Sequence, residues 1–321
     1  MMTDDMEVKR LSRIIAILTQ LQTKRLLTGA ELAEKFSISK SYNINISKYI
    51  VWLLCLSPTL FSCQNTKIEK TAPEENKSKQ QAIVDKYLVD SARQYSYYSK
   101  EWQKYIDMGL KEDSTIAYLW QQKAMPLFKQ GKYELGMQYL DKAVFYAKDN
   151  YLNYRGFIKC IFAKTYREAI VDFEEAISQH GNSHVMDHSY QFYIALSLLQ
   201  LNEFEKAEAI FKQEIDKMLQ EHGEDWVHHL DLFYYGISQY EQGKYDTAIK
   251  TFDRALNKYQ QFSDVKYYKA ISLMHLGKTE DASKLLEEAT QDRKNGYTIN
   301  EDNAIYERYP YQIRYDGVTI Y

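Results

Sequence analysis

Proline and glycine are scarce: the 321-residue chain holds 4 of the first and 12 of the second. A β sandwich or barrel needs many more chain reversals, so that class is excluded and long helices are expected. Cysteine is scarcer still. Cys55, Cys63 and Cys160 are an odd count without ligand spacing, which argues against a disulfide framework and a thiolate zinc site. Charge of one sign is not in large excess either. The net charge is −3, so nothing global points to nucleic acid. There is no Gly-rich phosphate loop, no HExxH and no CxxC pair. Glu174-Glu175 and Glu287-Glu288 read as solvated helix surface. No catalytic set, cofactor site or metal site is expected. Tyrosine, in contrast, is abundant at 29 residues, and its amphipathic ring suits a half-wet interior.

The most informative stretch is Leu230–Tyr259. Leu232, Tyr235 and Gly236 lie at helical spacing, and so do Tyr245, Ala248, Phe252 and Ala255. Gly243 between them supplies a turn that a residue with a Cβ resists. Small residues at 236, 248 and 255 allow two helices to approach closely. Thirty-four residues later the pattern recurs as Ala270, Gly277, Ala282, Leu286 and Ala289.

A 34-residue helix-turn-helix period resembles the tetratricopeptide repeat. The fold class is accordingly all-α, an α-solenoid of helical hairpins over 81–290. Trp120, Ala124, Leu127, Gly131, Tyr133, Gly136, Leu140 and Ala143 mark a second unit. Tyr154, Phe157, Ile158, Tyr166, Ala169, Phe173 and Ala176 mark a third, which reads one residue shorter. Ile194, Ala195, Leu198, Asn202, Phe204, Ala207 and Phe211 mark a fourth, with Asn202 at the turn. With the two C-terminal units this makes five clear repeats. Residues 81–113 form a degenerate first one. Beyond Thr290 the chain is aromatic and without period, and 291–321 is expected to pack on the last helix as a cap.

The resemblance implies a non-catalytic protein-interaction module. Such arrays take a protein or peptide ligand on the concave face lined by the first helix of each repeat. In the register above, that face carries Phe128, Arg155, Lys159, Phe192, Phe233, Ile237, Tyr240 and Tyr267. Arg155 and Lys159, one turn apart, are placed to meet an anionic group. His180, His184 and His188 are spaced by four beside Asp187, but Gly181 and Asn182 break a helix there. They read as solvated loop histidines rather than metal ligands. His228 and His229 are adjacent and face different ways. Cys160 reads as a small packing residue.

The N-terminal fifth differs in character. Residues 1–63 carry a net charge of +3 and the remainder −6. Leu11, Ile14, Ile15, Leu18 and Leu21 form one helical stripe, and Thr28 with Glu31 forms a capping box. Over 1–47 the chain resembles the helix-turn-helix of bacterial regulators of the DeoR and WYL-domain type. Where that family places arginines for the major groove, this chain reads Lys40 to Ile46 without one, so no DNA contact is expected. The alternative is a regulator, cytoplasmic or membrane-spanning, whose repeats sense or assemble. Residues 48–63 join Lys48 to the apolar run Tyr49–Leu56 and end in Leu60-Phe61-Ser62-Cys63. They resemble a bacterial secretory signal with a lipobox, which implies lipidation at Cys63 and a membrane anchor in the cell envelope. Residues 64–80 are polar and read as a flexible tether reaching roughly 20–25 Å.

Overall fold

The structure, a computed structural model, describes residues 73–313. The helix-turn-helix-like segment, the apolar segment with Cys63 and most of the tether lie outside the described residues, as do the last eight. Among the described residues no helix is long and apolar enough to cross a membrane.

Among the described residues twelve α-helices follow one another in antiparallel pairs. α1 (Pro73–Val84) and α2 (Lys100–Glu112) form the first hairpin, with a π-turn at Asp85–Val89 and a 3-10 turn at Ala92–Gln94 between them. α3 (Ala117–Phe128) pairs with α4 (Tyr133–Tyr146). α5 (Lys148–Ile158) continues as a π-turn, Lys159–Ala163, and pairs with α6 (Tyr166–His180). α7 (Tyr190–Gln200) pairs with α8 (Phe204–His222). α9 (His229–Glu241) pairs with α10 (Tyr245–Lys258), and α11 (Ser263–His275) with α12 (Thr279–Lys294). The all-α solenoid read from the periodicity is therefore the fold.

Two expectations need correction, one at the N-terminal edge and one in mid-array. The tether was to run to residue 80, yet α1 begins at Pro73. Pro73 sits at the first helical position, where proline loses no backbone hydrogen bond. The segment 180–187, expected to be irregular, closes as a two-residue antiparallel ribbon, with His184 opposite Ser189 and Val185 opposite His188. Met186 and Asp187 make its turn at φ of 46° and 68°.

The hairpins close by a repeated device. At the end of α9, the Gly243 N–H donates to Tyr240 O (2.9 Å) and the Lys244 N–H to Gln239 O (3.0 Å). This is the Schellman arrangement, which needs a left-handed residue. Gly243 supplies it at φ 71°. Asn202 takes the same place at φ 60°. The fit between the paired helices depends on Gly236, since a Cβ there would lie 2.4 Å from Phe252 Cε1. Phe252, Ala248 and Ala255 are fully buried against it.

The third hairpin departs from the expected register. Its close-approach residue is Gly156, which meets the Phe173 ring as Gly236 meets Phe252. In the fifth hairpin seven residues separate the small residue from the left-handed one, Gly236 from Gly243. Here eight separate Gly156 from Lys164, which adopts φ 57°. The closing bond, Thr165 N–H to Lys159 O at 2.9 Å, spans one residue more than its counterparts. The π-turn at Lys159–Ala163 holds the extra residue. The unit is thus one residue longer in its first helix, not one shorter overall, and the faces assigned to Arg155 and Lys159 shift with it.

One apolar core runs from Ala117 to Tyr309. A separate cluster around Leu88, Trp102 and Ile106 serves the first hairpin. The Ser99 side chain caps α2 by accepting from Trp102 N–H at 3.1 Å, and the Trp102 indole donates to Gln122 O at 3.2 Å, which ties that hairpin to the next.

Candidate functional site

Beyond α12 the chain turns at Gly296 (φ 88°). It does not rest on α12 as a cap. Segment 297–313 folds back over the face formed by the first helices α7, α9 and α11, reaches the first two hairpins, and returns. An aromatic tail without helical period cannot form a hairpin of its own, and on this face its Ile299 and Tyr309 join the apolar core.

Asp264, fully buried in the first turn of α11, holds both ends of the loop. Its Oδ2 accepts from the Thr298 hydroxyl (2.6 Å) and the Ile299 N–H (3.2 Å). Its Oδ1 accepts from the Ile313 N–H at 2.7 Å. Arg293 Nη1 lies 3.6 Å away. Burial raises the Asp264 pKa, while the hydroxyl, the amides and Arg293 oppose the rise. Segment 298–313 is therefore an Ω-loop, with its ends joined at one carboxylate.

On the outward path Glu301 Oε1 meets His188 Nε2 at 3.3 Å, and Asn300 Oδ1 meets His229 Nε2 at 3.0 Å. The Tyr306 hydroxyl meets that of Tyr97 at 3.2 Å, under the Lys129 ammonium at 4.3 Å from the ring centre. At the far end Glu307 accepts from the Tyr133 hydroxyl and from Lys164 Nζ (2.7 Å). On the return Tyr309 is buried, and Pro310 O accepts from the Tyr234 hydroxyl at 3.0 Å. The Tyr311 ring packs edge-on against Tyr268.

His188 is the electrostatic centre of this face. Its ring stacks on Phe192 at 3.9 Å between centroids. Its Nδ1 lies 3.6 Å from Asp231 and its Nε2 3.3 Å from Glu301. Burial alone would lower its pKa; the two carboxylates outweigh burial and raise it to about 9. His228, whose ring centre is 5.2 Å away, goes the other way. Burial, and then the neighbouring His229 and His188, push it down to about 4. One imidazole is thus held charged beside one held neutral. Donor atoms of His188, His228 and Asp231 lie within 4.8 Å of one another, the spacing of a possible metal triad. Both His188 nitrogens already face carboxylates, so an ion-paired imidazolium fits the arrangement better than a ligand set.

The residues assigned to the binding face divide. Tyr240 and Tyr267 are half-buried, close to Tyr268. Phe192, Phe233 and Ile237 are buried in the core; Phe192 supports His188, and Phe233 packs on Phe262 and Tyr268. Phe128 is buried against Gly136. Arg155 and Lys159 are turned away from an incoming anion. Arg155 makes a two-pronged contact to Asp172, with Nε and Nη2 each at 2.8 Å, and reaches Asp141 at 2.9 Å. Lys159 pairs with Asp172 at 2.9 Å. The one-residue shift in the third hairpin is the cause: with Gly156 at the close contact, Arg155 and Lys159 point toward α6. His188 is not a solvated loop residue, because the ribbon 184–189 drives it inward, whereas His184 stays exposed. Cys160 is buried as expected, its thiol pushed up to about 12 by burial.

Sequence reasoning missed His188, Asp231, Asp264 and Tyr234 as members of this face, and Glu301 and Glu307 as their partners. The sequence shows Asp264 only as an ordinary acidic residue in the first turn of a repeat helix, and its burial appears in the structure alone.

The architecture defines a helical-hairpin solenoid. The tetratricopeptide repeat family model matches residues 239–297, which are α10, α11 and α12 with the ends of their neighbours. Among solved structures, the chain is similar to PilW, described as a widely conserved type IV pilus biogenesis factor. The TM-score is 0.51 at 15% identity, over 73% of this chain and 100% of that one. It is also similar to a tetratricopeptide repeat protein from Parabacteroides merdae, with a TM-score of 0.50 at 14% identity, over 68% of this chain and 79% of that one. At such identities the likeness shows the fold. No curated protein matches the sequence.

Proposed function

We propose that the protein is a non-catalytic interaction module which holds a protein segment on the face formed by its first helices. One observation carries this reading: that face already binds polypeptide through its main chain and acidic side chains. Tyr234 donates to a loop carbonyl, Ser263 N–H donates to Tyr297 O at 3.0 Å, and His188 and Lys164 each receive a carboxylate. Hydrogen bonds to charged groups of this kind fix orientation, while buried aromatic rings supply contact area. The residues gathered here are arranged for charge pairing, His188 with Asp231 and Glu301, and Lys164 with Glu307. The test compares proteins that co-purify with the wild type and with Tyr240→Ala/Tyr267→Ala. Partners should be lost at unchanged helicity, and an identical set would place binding elsewhere. Phe233 is left intact because its ring belongs to the core.

The same reading places the module at the cell envelope, lipid-anchored through Cys63. Support comes from the sequence alone, the apolar run ending in Leu60-Phe61-Ser62-Cys63. Metabolic labelling with a palmitate analogue should mark the wild type and not Cys63→Ala. Equal label in both would remove the anchor.

A further inference from the structure

We infer that the loop 298–313 is a displaceable ligand of the inner face, and that the partner this face takes in its place is a segment presenting two carboxylates and a buried tyrosine with the spacing of Glu301, Glu307 and Tyr309. The inference rests on the reading of that face as the binding face, and it adds which chemistry binds there and what keeps the face closed.

Three observations point to a ligand rather than to a piece of scaffold. The loop joins the array by side-chain, carbonyl and amide hydrogen bonds to residues far apart in the sequence: Tyr133, Lys164, His188, Tyr234 and Asp264. The turns that join the paired helices close within each hairpin, and the one helix end served from outside is that of α11, whose Ser263 N–H donates to Tyr297 O at the root of the loop. The loop also closes on itself. The Gln312 side chain accepts from the Tyr309 N–H at 3.1 Å and lies 3.4 Å from the Thr298 hydroxyl. It can therefore leave as a unit once Asp264 releases its ends.

The receiving groups set the partner chemistry. His188 lies between Asp231 of the array and Glu301 of the loop. A partner must return a carboxylate to that place or leave a buried cation half-paired. Tyr133 and Lys164 form the second carboxylate seat. Two residues beyond the second seat the loop buries Tyr309 among apolar residues of the core. A tethered loop competes at an effective concentration on the order of millimolar, so a free peptide of the same sequence binds the intact chain weakly and binds well only where the tethered copy is weakened.

The experiment uses the full chain. A fluorescein-labelled synthetic peptide of residues 297–313 is titrated by anisotropy against the wild type and against Glu301→Gln/Glu307→Gln, in which the groove residues are untouched. The expected result is at least a tenfold tighter Kd for the variant. In parallel, hydrogen exchange of the wild type should show the Ile299 and Ile313 amides opening far faster than amides within α9 and α10. Exchange of the loop only with global unfolding, or no peptide binding by a variant whose helicity is intact, overturns the inference and leaves the co-purification test of the binding face standing. If the peptide binds the variant but Lys164→Glu added to it changes nothing, the inner face is not where the peptide sits, and the proposed function itself fails.

Discussion

The contact between α9 and α10 and the contact between loop 298–313 and the inner face are both buried, but they are built from opposite materials. The first is mainly apolar and uncharged: Gly236 against Phe252, flanked by Ala248 and Ala255, with one neutral hydrogen bond from Thr251 to Gln239. The second is made of carboxylates, imidazole and phenols that meet across separate hairpins. Apolar packing between adjacent helices depends on shape and carries no charge, so it holds under all conditions in which the chain is folded. A contact set by ion pairs depends on protonation and can be exchanged for another segment of similar chemistry. The solenoid thus has a permanent seam and a conditional one.

The largest effect is expected at the permanent seam. Phe252→Ala removes a fully buried ring that faces a glycine, which leaves a cavity its neighbours cannot fill. A loss of about 3–5 kcal/mol is expected from urea unfolding, with the same loss at pH 6.5 and pH 9. A loss under about 1 kcal/mol would mean that the ring is not the keystone of the hairpin.

The conditional seam responds to pH. The folded-state pKa of His188 is raised from 6.5 to about 9 by Asp231 and Glu301. Its stabilisation is fully present below pH 6.5 and is lost as pH rises through 9. His228, lowered to about 4 by burial and by His229 and His188, behaves oppositely. Its contribution is present above pH 6.5 and is lost as pH falls toward 4. The two together place the firmest contact near pH 6.5. Between there and pH 9.5 the wild type should lose on the order of 2–3 kcal/mol in urea unfolding, and His188→Gln should lose little over the same range. Parallel curves for the two proteins would show that His188 does not carry a shifted charge.

The permanent seam was legible in the sequence and the conditional one was not, for a physical reason. Helix pairs repeat, so Gly236, Gly243, Ala248 and Ala255 announce themselves through a period that recurs 34 residues on. The loop does not repeat. Its partners, His188, Tyr234 and Asp264, come from three hairpins that only tertiary structure brings together, and Glu301 and Glu307 lie in a stretch without pattern. The third hairpin shows the limit from inside the repeats. One residue absorbed in the π-turn Lys159–Ala163 leaves Arg155 and Lys159 paired with Asp172 and not on the face the spacing had assigned them, and no spacing rule marks where a helix hides an extra residue.

Lys164 joins a hairpin turn, that of α5 and α6, to the loop, and replacing it separates the two kinds of contact with the smallest effect. It occupies the left-handed turn position at φ 57°, where the fifth hairpin has Gly243, and its ammonium lies 2.7 Å from Glu307 of the loop. A side chain with a Cβ costs roughly 1–2 kcal/mol in that conformation. Lys164→Gly relieves this strain, and the greater freedom of glycine in the unfolded chain offsets about half to all of the gain. Global unfolding should therefore stay within about 1 kcal/mol of the wild type, on the stable side. The loop should respond in the other direction. It loses a half-exposed ion pair worth about 0–1 kcal/mol, while Glu307 keeps its bond from Tyr133. Hydrogen exchange over 298–313 should quicken by up to roughly fivefold while exchange in α9 and α10 stays put. Loop and helices quickening together would show that the two seams are one cooperative unit, and loop exchange unchanged at higher global stability would show that Lys164 serves the turn alone.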